Sequence, residues 1–337
     1  MLDTRTDRSA SRDTVPAGGP APGSTRPPAG APGERARWRQ RLSRFEGKAS
    51  PYAFISPFFI VFGVVGMFPI LYTAWVSLHE WNLIGGQGDF VGLQNFQDVL
   101  QQRFFWNAVR NTFSIFLLSS VPQVILALLI AVALDSGIRA KGFWRMSVLL
   151  PYVIAPVAVV LIFNDLFGDR YGLFNQLLGW VGIDPVQWHK DTFASHIAIA
   201  TMVNFRWTGY NALILLAAMQ TIPRDYYEAA LIDGAGPIRT FFSITVPQLR
   251  ATIIFVVITS TIGGLQIFDE PRMFDQYGQG GADRQWQTLT IYLYNLGWNQ
   301  KNFGRASAVA WLLFLIIVVF AIVNYFVIRR IASKESR

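Results

Sequence analysis

The sequence predicts an all-α membrane protein with six transmembrane helices and with both termini in the cytoplasm. Three observations carry this prediction: an apolar composition, six long apolar segments, and positive charge concentrated on one side. Of the 337 residues, 52% are hydrophobic and 15% are charged, with a mean hydropathy of +0.32. Soluble domains carry about 25% charged residues. The composition therefore indicates a chain whose surroundings are largely lipid.

Six segments approach or exceed the roughly 20 helical residues that cross a hydrocarbon core. The predicted spans are residues 54–78, 113–134, 147–167, 196–218, 251–268 and 306–328. The fifth span is short and becomes polar toward its end, which fits a helix buried in protein. Several spans contain proline, and membrane helices accept such breaks where neighbours satisfy the freed carbonyl groups. We expect one transmembrane domain over residues 50–330.

Positive charge is distributed unevenly across these spans. Of the 29 Lys and Arg residues, 20 lie before residue 49, in the loops 135–146 and 219–250, or after residue 328. Eight lie in the alternate loops, and Arg206 lies inside a span. This asymmetry follows the positive-inside rule. It places both termini and the two basic loops in the cytoplasm, and it explains the basic composition without a nucleic-acid partner.

The two ends of the chain are predicted to be tails. Residues 1–49 are basic, and the first 34 are rich in Pro, Gly, Ala, Ser and Thr, a composition typical of disorder. No apolar core of a signal peptide follows their charges. Residues 331–337 form a short cytoplasmic C-terminal tail. The chain has no Cys and only three scattered His residues, so we expect no metal site.

A spaced motif occupies the cytoplasmic loop between predicted spans four and five. It reads Glu228-Ala229-Ala230, three residues, Gly234, nine residues, then Ile244-Thr245-Val246-Pro247. Glu, Ala and Leu favour helix, and glycine permits a sharp turn. We expect two short helices joined at an angle at Gly234. Taken alone, Glu-Ala-Ala also fits an ordinary interfacial helix with a glycine stop. The candidate residues are Glu228, Ala229, Ala230, Asp233, Gly234 and Pro247.

The full motif resembles the coupling loop of permease subunits in binding-protein-dependent ABC importers, with Val246 where that family usually has Leu. The resemblance implies that Glu228 pairs with an arginine of a separate ATPase and that Gly234 sets the angle between the two helices. It also implies four partners: an ABC ATPase dimer, a second six-span permease, an extracytoplasmic sugar-binding protein and the lipid of the inner membrane.

Other segments are similar to the carbohydrate-uptake branch of that family, which includes maltose-type permeases. They are Gly209-Tyr210, residues 233–237 and residues 304–308. Residues 268–274 are similar to permeases for cellobiose-type disaccharides and depart from the maltose-type pattern. The resemblance implies import of an oligosaccharide, such as the disaccharides cellobiose or trehalose. An importer of glycerol-phosphate or another polyol is the alternative within the class.

The chain is not expected to be an enzyme or to bind a cofactor. A P-loop needs G-x-x-x-x-G-K-[ST], and the one Gly-Lys pair, Gly47-Lys48, is followed by Ala49. ATP and Mg²⁺ are therefore expected on the partner ATPase. A secondary transporter is the rival from another class. Such proteins often show internal repeats, and no repeat is evident in this sequence. A secondary transporter would also leave the coupling motif unexplained.

Polar residues inside predicted spans mark a candidate substrate path, because they are costly in a membrane. Hydroxyl and amide groups beside an indole suit a sugar. The alternative is structural, with Arg206 pairing with Asp269 or Glu270 and the aromatic rings only packing. The candidate residues are Asn204, Arg206, Trp207, Tyr210 and Asn211 on span four, and Gln266, Asp269 and Glu270 at the end of span five.

A short amphipathic helix is expected on the outer face. Phe90, Leu93, Phe96, Val99 and Leu100 recur at roughly helical spacing. Packing against the bundle and contact with a binding protein are both open for this segment.

Overall fold

The computed structural model describes residues 50, 52–136, 139–275 and 277–334, with side chains as far as residue 326. The tail predicted over residues 1–49 lies outside the described residues, as do the last three residues. The chain divides into two units, Met1–Met67 and Phe68–Arg337. In the first unit, residues 52–61 are α-helical and Phe62–Met67 form a π-helical turn.

The second unit is built almost entirely of helices. Its helices are α1 Phe68–Ser77, α2 Gln94–Gln101, α3 Arg103–Asp135, α4 Lys141–Val153, α5 Pro156–Leu166, α6 Leu173–Trp180, α7 Thr192–Met219, α8 Arg224–Ile232, α9 Pro237–Thr240, α10 Val246–Gln248, α11 Arg250–Leu265, α12 Asp269–Met273, α13 Leu289–Tyr294 and α14 Phe303–Lys334. Two further π-helical turns span Phe241–Thr245 and Asn295–Asn299.

Four helical stretches of the described chain are long and apolar enough to cross a membrane. They are Tyr52–Ser77, Arg103–Asp135, Arg250–Met273 and Phe303–Phe326. The pair α4 and α5 makes a fifth if it counts as one span. The predicted fourth span corresponds to α7, whose 28 residues extend about 42 Å at 1.5 Å per residue. Because of its polar residues, α7 is not one of the four helices that are apolar enough to cross a membrane by composition.

The span predicted over residues 147–167 falls on two helices rather than on one. The structure has two helices, α4 and α5, bent by 91° at their junction. Ile154 and Ala155 are extended between them, and Pro156 begins the second helix. Proline disfavours a helical conformation for the residue before it, which accounts for the position of the break.

The boundaries of three other predicted segments also differ. Helix α3 begins ten residues before residue 113, at Arg103. Helix α11 ends at Leu265 rather than at residue 268. Helix α14 runs to Lys334 and so takes in part of the predicted C-terminal tail. Membrane helices often extend beyond the apolar stretch, because hydropathy marks the hydrocarbon core alone.

A β-hairpin follows the first apolar helix, a departure from the all-α prediction. Strands β1 (His79–Asn82) and β2 (Gly86–Phe90) are antiparallel, with Phe90 opposite His79. The predicted amphipathic helix is present as α2 but begins at Gln94, so Phe90 and Leu93 lie before it. Gly86 has a φ of 71° at the turn, a conformation that glycine adopts without strain.

Helix α7 lies at the centre of the second unit and packs against α3 along its length. Ala127 and Ala131 of α3 meet Ala212 and Leu215 of α7 in one buried apolar cluster. Helix α4 packs against α7 on another side. A Cβ placed on Gly209 would lie 1.7 Å from the carbonyl oxygen of Val148. Small residues allow this backbone approach in membrane bundles, and here it fixes α4 beside the polar part of α7.

Candidate functional site

A cavity of about 260 Å³ lies between α7, α3 and the region where α11 passes into α12. Seven of the eight residues predicted for the substrate path line it: Arg206, Trp207, Tyr210, Asn211, Gln266, Asp269 and Glu270. The eighth, Asn204, does not. Its Oδ1 atom is buried and has no hydrogen-bond partner among the described residues. The polar face of α7 and the polar end of span five are thus brought together.

An ion pair crosses the cavity wall. Arg206 Nη1 donates a hydrogen bond to Glu270 Oε1, and the side chains of these residues are 11% and 5% exposed. Asp269, the other acidic candidate, is half-buried and lines the cavity beside this pair. The structural alternative that we considered for Arg206 is therefore present, and its partner is Glu270. The pair joins α7 to α12 at a point where an unpaired charge would be costly.

A network of amide and hydroxyl groups forms another part of the cavity wall. Asn211 Nδ2 donates to Gln123 Oε1 and to Ser260 Oγ, at 3.0 Å in each case. Ser120 Oγ donates to the carbonyl oxygen of Ser260 at 3.2 Å. These bonds connect α7 with α3 and α11. They satisfy groups that would otherwise be unpaired in an apolar interior, and buried polar groups are normally satisfied in this way.

Sequence reasoning missed Gln123, Ser120 and Ser260, which line the same cavity. Each is a polar residue within a predicted span, so the cost of polar groups in a membrane was a signal for them too. That signal did not show which helix faces α7. Ser120 also lies against a glycine of α11, since a Cβ on Gly264 would be 2.7 Å from Ser120 Oγ.

Aromatic rings form the third feature of the site. Trp207 and Tyr210 line the cavity, and Tyr152 of α4 packs against both of them. The Tyr152 and Tyr210 rings stack at 4.8 Å with an interplanar angle of 19°, and the Tyr152 and Trp207 rings meet edge-on at 5.2 Å. The Arg206 guanidinium lies 6.0 Å from the centre of the Trp207 indole. The cluster gives the cavity one rigid aromatic side.

The segment from residue 223 to residue 248, named here the coupling segment, contains α8, α9, a π-helical turn and α10. Helix α8 ends in a Schellman arrangement: the amide of Ala235 donates to the carbonyl of Ala230 at 2.9 Å, and that of Gly234 donates to Leu231 at 3.1 Å. Gly234 has a φ of 72°, as this motif requires. The chain thus turns sharply at the glycine singled out in the sequence.

The two halves of the coupling segment are tied together. The hydroxyl groups of Tyr227 on α8 and Thr245 on the π-helical turn are hydrogen-bonded at 3.3 Å. Of the six candidate residues, Ala230 is buried, and the five others are exposed: Glu228, Ala229, Asp233, Gly234 and Pro247. Large apolar side chains stand beside them, with Leu231 77%, Ile232 86% and Ile238 75% exposed. An exposed apolar surface of this kind marks an interaction site.

Comparisons with known proteins agree on one family. Residues 111–333 match the model of the family described as "Binding-protein-dependent transport system inner membrane component". The trehalose/maltose transport system permease protein MalF of Thermococcus litoralis is 35% identical over 81% of this chain and 91% of its own. The arabinooligosaccharides transport system permease protein AraP of Halalkalibacterium halodurans is 32% identical over 83% and 87%.

A solved structure shares the fold. A chain in the crystal structure of a bacterial alginate ABC transporter, in complex with an alginate pentasaccharide-bound periplasmic protein, superposes with a TM-score of 0.73 at 21% identity. The match covers 86% of this chain and 97% of that one. The family match extends over more than half of the chain, and the resemblance inferred from the coupling motif is confirmed. The chain therefore belongs to the family of inner membrane components of binding-protein-dependent transport systems.

Proposed function

We propose that this chain is one of two permease subunits of an ATP-driven importer and that an oligosaccharide crosses the inner membrane through the cavity beside α7. The observation that carries the proposal is the convergence of an aromatic side, an amide–hydroxyl wall and a charged group on one cavity. Sugars need hydrogen bonds for their hydroxyl groups and aromatic surface for their ring faces, and the cavity supplies both.

The proposal includes six spans with both termini in the cytoplasm. The four apolar helices, the bent pair and α7 together make six. Helix α7 is long enough to cross, and its polar residues face the cavity rather than lipid, which is where intramembrane polar groups are tolerated. The excess of Lys and Arg in the even-numbered loops and at the ends supports the orientation.

The names of the relatives support an oligosaccharide substrate, and a disaccharide such as cellobiose or trehalose is our specific proposal. A glycerol-phosphate importer is the alternative, and the cavity argues against it. Its one described guanidinium, Arg206, is already paired with Glu270. A phosphate would therefore meet no free cation among the described lining residues, and phosphate sites normally provide one.

The coupling segment is proposed to receive force from the ATPase dimer. Its exposed apolar side chains and the exposed carboxylate of Glu228 suit a cleft with an apolar floor and a basic group. Two short helices tied by Tyr227 and Thr245 would move as one body. A binding protein would deliver the sugar outside, and a second permease would complete the path.

The test is ATP-coupled sugar uptake by the assembled transporter in proteoliposomes. Glu228→Ala removes the proposed ionic contact, and Gly234→Pro forces a φ near −65° where the chain has 72°. We expect the rate of uptake to fall at least tenfold in both variants, which corresponds to about 1.4 kcal/mol of activation free energy. The affinity of the binding protein for the sugar should be unchanged. Gly236→Ala is the matched control, because Gly236 has an ordinary φ of −69°. Normal uptake by both variants, in transporters that assemble at the wild-type level, would contradict the proposal.

A further inference from the structure

Asp269 differs from the other charged groups of the cavity because it lacks a partner. Arg206 and Glu270 bind each other, whereas the Asp269 carboxylate has no hydrogen bond or ion pair with any residue in the described part of the chain. It is the first residue of α12, lines the same cavity as Gln266, and is half-buried. A carboxylate in that position is available to whatever enters the cavity.

The formal charges of the lining residues leave one negative charge. Arg206 contributes a positive charge and Asp269 and Glu270 a negative charge each, while the remaining lining residues are neutral. The charges of Arg206 and Glu270 cancel within their ion pair, so the remaining negative charge is that of Asp269. Arg272, one turn further along, is not one of the lining residues. Its guanidinium lies 3.9 Å from the centre of the Tyr294 ring and 5.4 Å from that of Phe268, and it makes no ion pair with Asp269.

We propose that Asp269 determines substrate charge: the cavity accepts neutral oligosaccharides and rejects those that carry a carboxylate or phosphate. This inference rests on the proposed function. A carboxylate accepts hydrogen bonds from sugar hydroxyl groups, and such charged bonds are stronger than neutral ones. The same group repels an anion, and repulsion grows where the surroundings are less polar than water. Attraction and exclusion therefore come from one side chain.

The geometry also explains why the nearby arginine does not reverse this preference. To bind an anionic sugar, Arg206 would have to release Glu270, whose side chain is only 5% exposed. That exchange would leave a buried carboxylate unpaired, at a cost larger than one new contact returns. Because Arg206 stays paired with Glu270, it is not available to bind an anionic substrate. Asp269 is then the one unpaired charged group among the described lining residues that a substrate would meet.

The experiment measures sugar binding by the full chain in nanodiscs with saturation-transfer difference NMR, which detects weak ligands. The probes are cellobiose and the disaccharide of the same linkage in which one glucose is a glucuronate. For the wild type we expect the uronate to bind at least about tenfold more weakly than cellobiose, as expected for like charges in a partly desolvated site. Asp269→Asn should reduce this ratio to about threefold or less, because the amide keeps the shape and loses the charge.

Two further variants distinguish charge from structure. Asp269→Glu keeps the carboxylate and should keep the discrimination. Asp184→Asn removes an exposed carboxylate from the 181–191 loop, away from the cavity, and should leave the ratio at the wild-type value. A change in the Asp184 variant equal to that in Asp269→Asn would overturn the inference, since net charge alone would then explain it.

The outcomes also separate this inference from the proposed function. Suppose that cellobiose binds and that the ratio of cellobiose affinity to uronate affinity is the same in Asp269→Asn as in the wild type. This result would overturn the role of Asp269 and would leave the proposed sugar path intact. Equal binding of the uronate and cellobiose by the wild type does the same. If neither sugar binds any variant, the proposed function fails and this inference fails with it.

Discussion

In the cavity, Arg206, Asn211 and Glu270 are polar groups inside an apolar bundle, whereas in the coupling segment Ile232 and Ile238 are apolar side chains at the surface. Each region holds side chains in surroundings that disfavour them: polar groups in an apolar interior in the cavity, and apolar groups at the surface in the coupling segment. The cavity compensates within the chain, through an ion pair and an amide network. In the coupling segment these apolar side chains stay exposed in the described chain.

This contrast separates two kinds of functional surface. For the proposed function, a cavity whose polar groups are already satisfied can bind a sugar without first rearranging. The coupling segment has its first helix end closed by backbone hydrogen bonds and leaves Leu231, Ile232 and Ile238 exposed. Mutations in the cavity should therefore change the stability of this chain, and those on the coupling segment should mainly change its function.

The largest expected effect comes from breaking the buried ion pair. Arg206→Met leaves Glu270 unpaired, and removal of one partner of a buried pair costs about 3–5 kcal/mol. The double variant Arg206→Met/Glu270→Met removes both charges and should restore the free energy of unfolding to within about 1 kcal/mol of the wild type, because replacing both partners by apolar groups is often neutral. Unfolding of the full chain by SDS in mixed micelles measures both. A double variant less stable than Arg206→Met would show that the pair is not the source of the loss.

A smaller effect is expected where α4 meets α7. Gly209→Ala places a methyl group against the Val148 carbonyl, and overpacking of this kind costs about 1–3 kcal/mol. The Tyr152–Tyr210 stack should be displaced as well. Gly263→Ala is the matched control, because a Cβ there meets nothing within 4 Å. It should be neutral or more stable by about 0.5–1 kcal/mol, since alanine favours helix over glycine. Unfolding by SDS in mixed micelles measures both variants. Equal changes in the free energy of unfolding for Gly209→Ala and Gly263→Ala would contradict the close packing of α4 against α7.

The smallest effect on stability is expected in the coupling segment. Gly234→Ala meets no atom within 4 Å but has to adopt a φ of 72°, at a cost of about 1–2 kcal/mol. Because the turn is exposed, this cost should appear as faster amide hydrogen exchange across α8 and leave global unfolding nearly unchanged. Gly236→Ala should leave the exchange at the wild-type rate. Protection of α8 that is equal in both variants would mean that the left-handed turn does not hold the helix end.

The same two regions show which parts of the molecule can be predicted from sequence. The coupling segment depends on local signals, namely a helix-forming run, Gly234 in the turn and Pro237 at the next helix start, and its helices lie where the sequence indicates. The cavity depends on which helices are neighbours. The cost of polar groups inside a span singled out Arg206 and Asn211, but the part of the wall that comes from α3, including Gln123, follows from packing that no local pattern specifies.

Two features had local signals that the sequence analysis used only in part. Ala155-Pro156 indicates a break by the restriction that proline places on the preceding residue, and the predicted span allowed for such a break without giving its position or its angle. Gly85-Gly86 between short polar and aromatic runs is typical of a hairpin. The prevailing all-α pattern concealed it, since the hairpin is shorter than the spans on which that prediction rests.

The 91° bend between α4 and α5 has a consequence for the lipid around this chain. The last carbonyl groups of α4 lose their helical partners where Ile154 and Ala155 are extended. Hydrocarbon offers no hydrogen-bond donors, so irregular backbone at membrane depth has to meet protein or water. The break is therefore a point of the bilayer profile at which neighbouring protein or water, and not lipid tails, has to supply the missing hydrogen-bond donors.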